Sequence, residues 1–171
     1  MLKYFLPDEF VKNIFQITPE KLKENGIKGI ITDLDNTLVE WDRPGATPEI
    51  IEWLKSMKSA DILVTIVSNN NENRVKVFSD PLGIPYIHAA RKPRRKPFKL
   101  ALALMGIQKE EAVVIGDQLL TDILGGNRKG LHTILVVPVA SSDALITRFN
   151  RMTERRIMAG LKRRGMIKWE E

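Results

Sequence analysis

Residues 27–41 read IKGIITDLDNTLVEW, and the fold turns on how that stretch divides. Residues 27–32 form a short apolar run rich in β-branched side chains, too short for a stable helix and well suited to a buried strand. The run stops at Asp33, and Asp33 and Asp35 then put two carboxylates into one turn region beyond the strand. Similar runs recur at 62–67, 86–88, 112–115 and 132–137. Helix patterns lie between them. One opens at Thr47-Pro48-Glu49, a capping hydroxyl followed by proline at the first helical position, and continues through Ile50, Ile51, Trp53, Leu54 and Met57. Others cover about 72–78, 98–105 and 119–129, the last ended by Gly130 as a left-handed cap. Strands alternating with helices predict an α/β, doubly wound (Rossmann-like) domain with a five-stranded parallel sheet.

In such sheets a ligand sits beyond the carboxyl ends of the strands. The residues expected there are Asp33 and Asp35 after the first strand, and Ser68, Asn69 and Asn70 after the second. Arg91-Lys92-Pro93 follow the third, and Gly116-Asp117 the fourth. Three carboxylates, a hydroxyl and an ammonium therefore converge on one end of one sheet. An acidic pair as close as Asp33 and Asp35 is costly unless something neutralises it, so it implies a metal ion or a shared proton. Oxygen donors without His or Cys suit Mg²⁺ far better than Zn²⁺.

Composition narrows the chemistry further. The 171 residues suffice for one domain, and 43% apolar with 28% charged residues describes a globular chain. The absence of cysteine excludes a disulfide framework, a thiolate zinc site and a Cys nucleophile. Two histidines, His88 and His132, leave little for a His-rich metal site, and each is read as structural. No apolar run reaches the ~20 residues that span a bilayer, and Asp8 and Glu9 interrupt the amino-terminal apolar stretch where a signal peptide would continue. The expectation is a cytoplasmic protein.

With these residues in view the chain resembles the haloacid-dehalogenase-like (HAD) phosphatases. Asp33-Leu34-Asp35-Asn36-Thr37 looks like their DxDxT signature, Ser68 matches the second motif, Lys92 the third, and Gly116-Asp117 with Asp122 the acidic fourth. Lys96 is also followed by proline, but only Lys92 has the aromatic six residues on (Phe98) and the alanine nine on (Ala101) that members of this superfamily often show. The resemblance implies attack of Asp33 on phosphorus, acid and base work by Asp35, and charge neutralisation by Lys92. It implies Mg²⁺ held by the Asp33 carboxylate, the Asp35 carbonyl and Asp117, with Asp122 either supporting the metal's surroundings or orienting Lys92. Ser68 and backbone N–H groups near Asn36 and Asn69 would hold phosphoryl oxygens, with Thr37 bracing the loop. Arg43, beside Trp41 and Asp42, would grip a second phosphate or a carboxylate.

The intervals from Asp33 to Ser68 and from Ser68 to Lys92 are too short to house an inserted cap domain, so the site is expected to be open. More closely, DLDNTLVEWDRP (33–44), VSNNNENRV (67–75), SDPLGIP (79–85), ARKP (90–93), IGDQLLTDILGGNR (115–128) and the amino-terminal KYFLPDEFV resemble the YqeG-like subfamily, related to mitochondrial phosphatidylglycerophosphate phosphatases. That resemblance implies conversion of phosphatidylglycerophosphate to phosphatidylglycerol. A phosphatase for a soluble small molecule, a protein or a nucleic-acid end, and a non-catalytic binding module on the same fold, are the rival readings.

The flanks bear on the partner. Residues 1–144 are read as the domain, with 1–26 an amphipathic helical lead-in, and 145–171 as a basic amphipathic helix or tail. Net charge is +6, and residues 145–171 carry eight basic against three acidic side chains. Leu145, Phe149, Met152, Ile157 and Leu161 fall at rough helical spacing among arginines that include Arg148 and Arg151. An apolar face edged with cations suits an anionic membrane surface, which would put the protein peripherally on the inner face of the membrane. Trp169 and Phe149 beside cations could also track nucleic acid, but no nucleic-acid motif accompanies them and such a partner is not expected. Gly125-Gly126 inside a helix pattern signals close approach of another backbone.

Overall fold

In the computed structural model, which describes residues 1–140 and 145–167, twelve elements follow one another. They are β1 (Glu9–Val11), α1 (Pro19–Glu24), β2 (Gly29–Thr32), α2 (Pro48–Ser59), β3 (Leu63–Val67), α3 (Glu72–Ser79), β4 (Tyr86–Ile87), α4 (Arg95–Met105), β5 (Ala112–Gly116), α5 (Leu124–Lys129), β6 (His132–Val136) and α6 (Leu145–Arg163). A wide π-type turn, Leu119–Ile123, leads into α5. The strands form one sheet in the order β1-β6-β5-β2-β3-β4, with every pairing parallel.

Six strands replace the five expected. The extra one is β1, which lies where a helical lead-in was expected over 1–26; within that segment α1 is the α-helix, with short 3₁₀ turns at Leu2–Phe5 and Ile14–Gln16. Three residues are too few to show an alternating pattern. What makes them a strand is their partner, Glu9–Val11 pairing with Ile134, Leu135 and Val136 of β6. The lead-in is also tied to the domain by side chains. Trp53 of α2 donates its indole N–H to the Ile17 carbonyl at 2.9 Å, and Asn127 donates to the carbonyls of Tyr4 and Leu6. Ile14, Ile17 and Leu22 are buried in the main core.

Strands covered on both faces need apolar residues in succession, and the two central strands have them. Ile30 of β2 and Val113 and Ile115 of β5 join Ile50, Trp53 and Met57 of α2 and Val75 and Phe78 of α3 on one side. Ile31 and Val114 turn the other way, against Phe98, Ala101 and Leu102 of α4. Gly125 and Gly126 of α5 permit close packing there, though mostly against side chains rather than the backbone expected. A β-carbon would lie 2.4 Å from the Phe98 ring and 3.2 Å from the Pro93 Cα at Gly125, and 2.6 Å from the Thr133 methyl at Gly126.

From β2 the chain winds outward through β3 and β4 on one side, while β5, β6 and β1 lie on the other. The crevice between the ends of β2 and β5 is thus the point where the winding reverses. The register is level there: Thr32 pairs with Ile115, and the Asp33 N–H donates to the Ile115 carbonyl at 3.0 Å. No inserted domain occupies the connections after β2 or β3 among the described residues. Instead α6 packs beside the site, with Leu161 fully buried and Ile157 and Met158 against Leu119, Ile123 and Leu135. Residues 168–171 of the basic segment, Trp169 included, lie outside the described residues, as do the side chains of Leu145, Arg148 and Phe149.

Candidate active site

Asp33 leaves the end of β2 and meets Lys92, whose ammonium lies 3.0 Å from the Asp33 Oδ1 and 2.6 Å from the Asp122 Oδ1. Lys92 is buried at 7% exposure, whereas Lys96 lies exposed on α4. Burial opposes the Lys92 charge, but Asp122 and Asp33 outweigh it and hold the amine protonated, above its ordinary range. Asn69 fixes the backbone of this lysine from both sides: its Oδ1 accepts the Lys92 N–H at 2.7 Å and its Nδ2 donates to the Lys92 carbonyl at 3.3 Å. The Asn69 side chain is therefore a clamp on Lys92, and Asn69 also lines the cleft, where its backbone N–H was expected to meet phosphate.

Asp122 sits in the π-type turn, with one oxygen on Lys92 and the other accepting the Gln118 N–H at 3.2 Å. With one oxygen on the ammonium it orients Lys92, and it stays within the group of acids around Asp33. Burial, and then the charge of Asp33, push its carboxyl up to about 7 against the pull of Lys92. Gly116 makes this arrangement possible, since a β-carbon there would fall 2.2 Å from the Asp122 Cγ. Gly116→Ala should therefore displace Asp122 from Lys92, costing about 1–3 kcal/mol in a urea melt and lowering phosphate release.

Asp117, at the end of β5, is surrounded by donors. The Thr37 hydroxyl donates to its Oδ1 at 2.9 Å, and Arg151 of α6 donates to its Oδ2 and, at 2.6 Å, to its carbonyl. Thr37 thus braces Asp117 and lies outside the cleft lining. Arg151 was legible in the sequence as one more cation of a lipid-facing helix; the fold turns it inward onto an acid. Glu154 accepts from Arg151 at 3.2 Å and from the Leu120 N–H at 3.2 Å, which docks that turn of α6 on the site. Burial and the neighbouring Asp33 charge push Asp117 well above the usual carboxylate range despite Arg151.

Asp35 stands apart from this cluster. It accepts from the Asn70 side chain at 2.9 Å and from the Arg74 Nε at 3.0 Å, and Arg74 also donates to the Pro44 carbonyl at 3.0 Å. Burial raises its pKa while Asn70 and Arg74 oppose the rise, so the neutral acid is favoured relative to a carboxyl in water. Arg74 escaped the sequence reading because nothing local marks one helix arginine among many. Arg74→Ala should free both Asp35 and the 42–44 loop and lower kcat about tenfold with less change in KM, measured by steady-state phosphate release.

Asn36 shapes the loop beyond. Its φ of +61° is left-handed, a conformation asparagine tolerates better than most residues. Its N–H goes to the Val39 carbonyl at 2.7 Å and its Oδ1 accepts the Trp41 N–H at 3.2 Å, so Asn36 lines the cleft with its own N–H committed. Arg43 turns to solvent and pairs with Glu40 at 2.6 Å, away from the cleft. Ser68 is buried and does line it, accepting the Asn70 N–H at 3.1 Å. The cleft itself measures about 340 Å³ and has Asp33, Asp35, Ser68 and Lys92 in its walls, with Gln118 and Asn150 at the side of α6.

One carboxylate oxygen each from Asp33, Asp117 and Asp122 lie within 4.8 Å of one another. With Glu154 counted beside Arg151, four acids face two cations, Lys92 and Arg151. Hard oxygen donors with a charge deficit fit a divalent cation such as Mg²⁺.

Comparison with known proteins agrees with this geometry. The sequence model of a family described as HAD-hydrolase-like matches residues 89–150. Over 169 residues the chain is 72% identical to the probable phosphatase YqeG of Bacillus subtilis, covering 99% of this chain and 98% of that one. The chain belongs to the YqeG-like HAD phosphatases. This HAD phosphatase is also 29% identical to the chloroplastic/mitochondrial phosphatidylglycerophosphate phosphatase 1 of Arabidopsis thaliana, over 96% of its own length and 50% of the plant protein's. In fold it is similar to the cobalt-bound deoxy-D-mannose-octulosonate 8-phosphate phosphatase of Haemophilus influenzae (TM-score 0.56, 17% identity, 75% of this chain and 77% of that one).

Proposed function

We propose that this HAD phosphatase hydrolyses phosphomonoesters through a phosphoaspartate on Asp33 with the help of Mg²⁺, and that its substrate is phosphatidylglycerophosphate. The observation that carries the chemistry is Asp33 at the floor of an open cleft, an oxygen 3.0 Å from a buried ammonium, with the acids at 117 and 122 gathered around it. An oxygen of Asp33 attacks phosphorus as the bond to the substrate oxygen breaks, and Asp35, whose pKa burial raises, gives that oxygen its proton. A water molecule then attacks the phosphoaspartate, Asp35 takes its proton, and inorganic phosphate leaves with Asp33 restored. Lys92 balances phosphoryl charge throughout, and Ser68 donates to a phosphoryl oxygen. A bound Mg²⁺ would neutralise charge between the Asp33 carboxylate and the dianionic ester; Asp33, Asp117 and the Asp35 carbonyl would hold it.

Three observations support a lipid substrate. The plant relative acts on that lipid by its name, the described residues put no domain over the cleft, and Arg155, Arg156, Lys162 and Arg163 lie exposed on α6, the helix whose Asn150 lines the cleft. Cations on a helix next to an open site suit a headgroup presented by an anionic surface, each contributing about 1 kcal/mol near it. No helix among the described residues is long and apolar enough to cross a membrane, so such a contact would be peripheral. The test is phosphate release from phosphatidylglycerophosphate in mixed micelles, with Mg²⁺ or EDTA, alongside an aryl phosphate. Metal-dependent release from both is expected. Release from the aryl phosphate alone would refute the lipid and keep the chemistry; no release from either would favour the binding module.

A further inference from the structure

We propose that Arg151 is a stand-in for the divalent cation: it holds Asp117 while the metal is absent and must give up its side-chain contact when the metal binds, so that α6 docks less tightly on the loaded enzyme. The inference rests on the reading of Asp117 as a metal ligand and goes beyond it to a role for the C-terminal helix.

Both carboxylate oxygens and the carbonyl of Asp117 already have donors, Thr37 on Oδ1 and Arg151 on Oδ2 and on the carbonyl. Each donor takes up one lone pair of its oxygen, and the one on Oδ2 sets a full positive charge against the carboxylate that a cation would share. Charge adds to the conflict. Glu154 shares Arg151 with Asp117, so what opposes a divalent ion is the repulsion from the guanidinium and the Lys92 ammonium held against the same acids. Lys92 cannot move easily, being enclosed by Asp33, Asp122 and the Asn69 clamp. Arg151 can. Its side chain is 15% exposed and borders a separate groove of about 430 Å³ between α6 and the sheet, into which the guanidinium can swing. Glu154 stays paired with the Leu120 N–H and remains beside Arg151 to receive it. Because the Arg151 contacts to Asp117 help seat the α6 turn that also bears Asn150 on the cleft, loosening them would loosen that wall.

The experiment uses the full chain, freed of metal, in wild-type, Arg151→Gln and Arg151→Lys forms. Mg²⁺ affinity is measured by calorimetry, and amide hydrogen exchange over residues 150–163 is followed with and without MgCl₂. Arg151→Gln should bind Mg²⁺ about tenfold more tightly than wild type, with Arg151→Lys between them, since lysine keeps the charge but loses the two-pronged grip. In wild type, Mg²⁺ should speed exchange along α6; in Arg151→Gln exchange should be fast already and indifferent to Mg²⁺. Equal or weaker Mg²⁺ binding by Arg151→Gln would overturn the proposal, as would wild-type α6 exchange that Mg²⁺ slows or leaves alone. The wild-type exchange measurement needs no substitution, so a variant that failed to fold would not shield the idea. No Mg²⁺ binding by any form would remove the metal reading itself, and this proposal with it.

Discussion

Asp33→Asn is expected to bring phosphate release from any substrate down by at least about 10⁴-fold while the protein still melts cooperatively within a few degrees of wild type. The amide has the shape of the carboxylate and keeps an oxygen for the Lys92 ammonium, 3.0 Å away in the parent protein. What it lacks is the charge and the lone-pair donor strength that attack on phosphorus requires. Stability should change little, because one of three crowded acids is neutralised while Lys92 keeps Asp122. An aryl phosphate assay with a thermal melt on the same preparation reads both quantities. Substantial remaining turnover in a folded Asp33→Asn protein would place the nucleophile elsewhere and dismantle the mechanism.

Replacing Lys92 has the next largest expected effect, and it falls on stability as well as rate. Lys92→Met preserves the length of the side chain but leaves Asp33 and Asp122 facing each other in a buried space without the ammonium between them. Removing one partner from a buried ion pair costs about 3–5 kcal/mol, measurable as a lowered urea midpoint. Burial and the Asp33 charge already push Asp122 up to about 7 with Lys92 in place, so without the lysine it would rise further toward the neutral acid. Turnover should fall about 10²–10³-fold, because the charge that faces the transferring phosphoryl group is gone. Lys92→Met protein as stable and as active as wild type would show that the ammonium balances no phosphoryl charge and would shift that role to another cation, with Lys96 the first to substitute.

Much of this molecule was readable before its structure. The inner strands β2, β3, β5 and β6, the cap of α2 at Thr47 and the left-handed end of α5 at Gly130 follow from short-range pattern, which is how secondary structure is encoded. The choice of Lys92 over Lys96 agrees with the burial of one and the exposure of the other. Other features depended on partners far along the chain. Helix α4 begins at Arg95, ahead of the expected 98, with proline at 97 accommodated in its first turn where no amide bond is lost. The Asn69 side chain holds the backbone of Lys92, and Arg43, expected at the entrance, faces solvent beside Glu40.

The sequence by itself determined the strand that ends at Asp33, the series of polar residues at successive strand exits and the absence of an inserted domain between them, because each is a matter of local period and chain length. Only the tertiary structure decided that residues 9–11 add a strand, that Arg74 grips Asp35 and that Arg151 turns from a basic helix onto Asp117. Those outcomes are choices among chemically equivalent residues. Any of several arginines could pair with a buried acid, and the one that does is set by strand register and helix docking, which bring distant segments together and leave no trace in the spacing of neighbours.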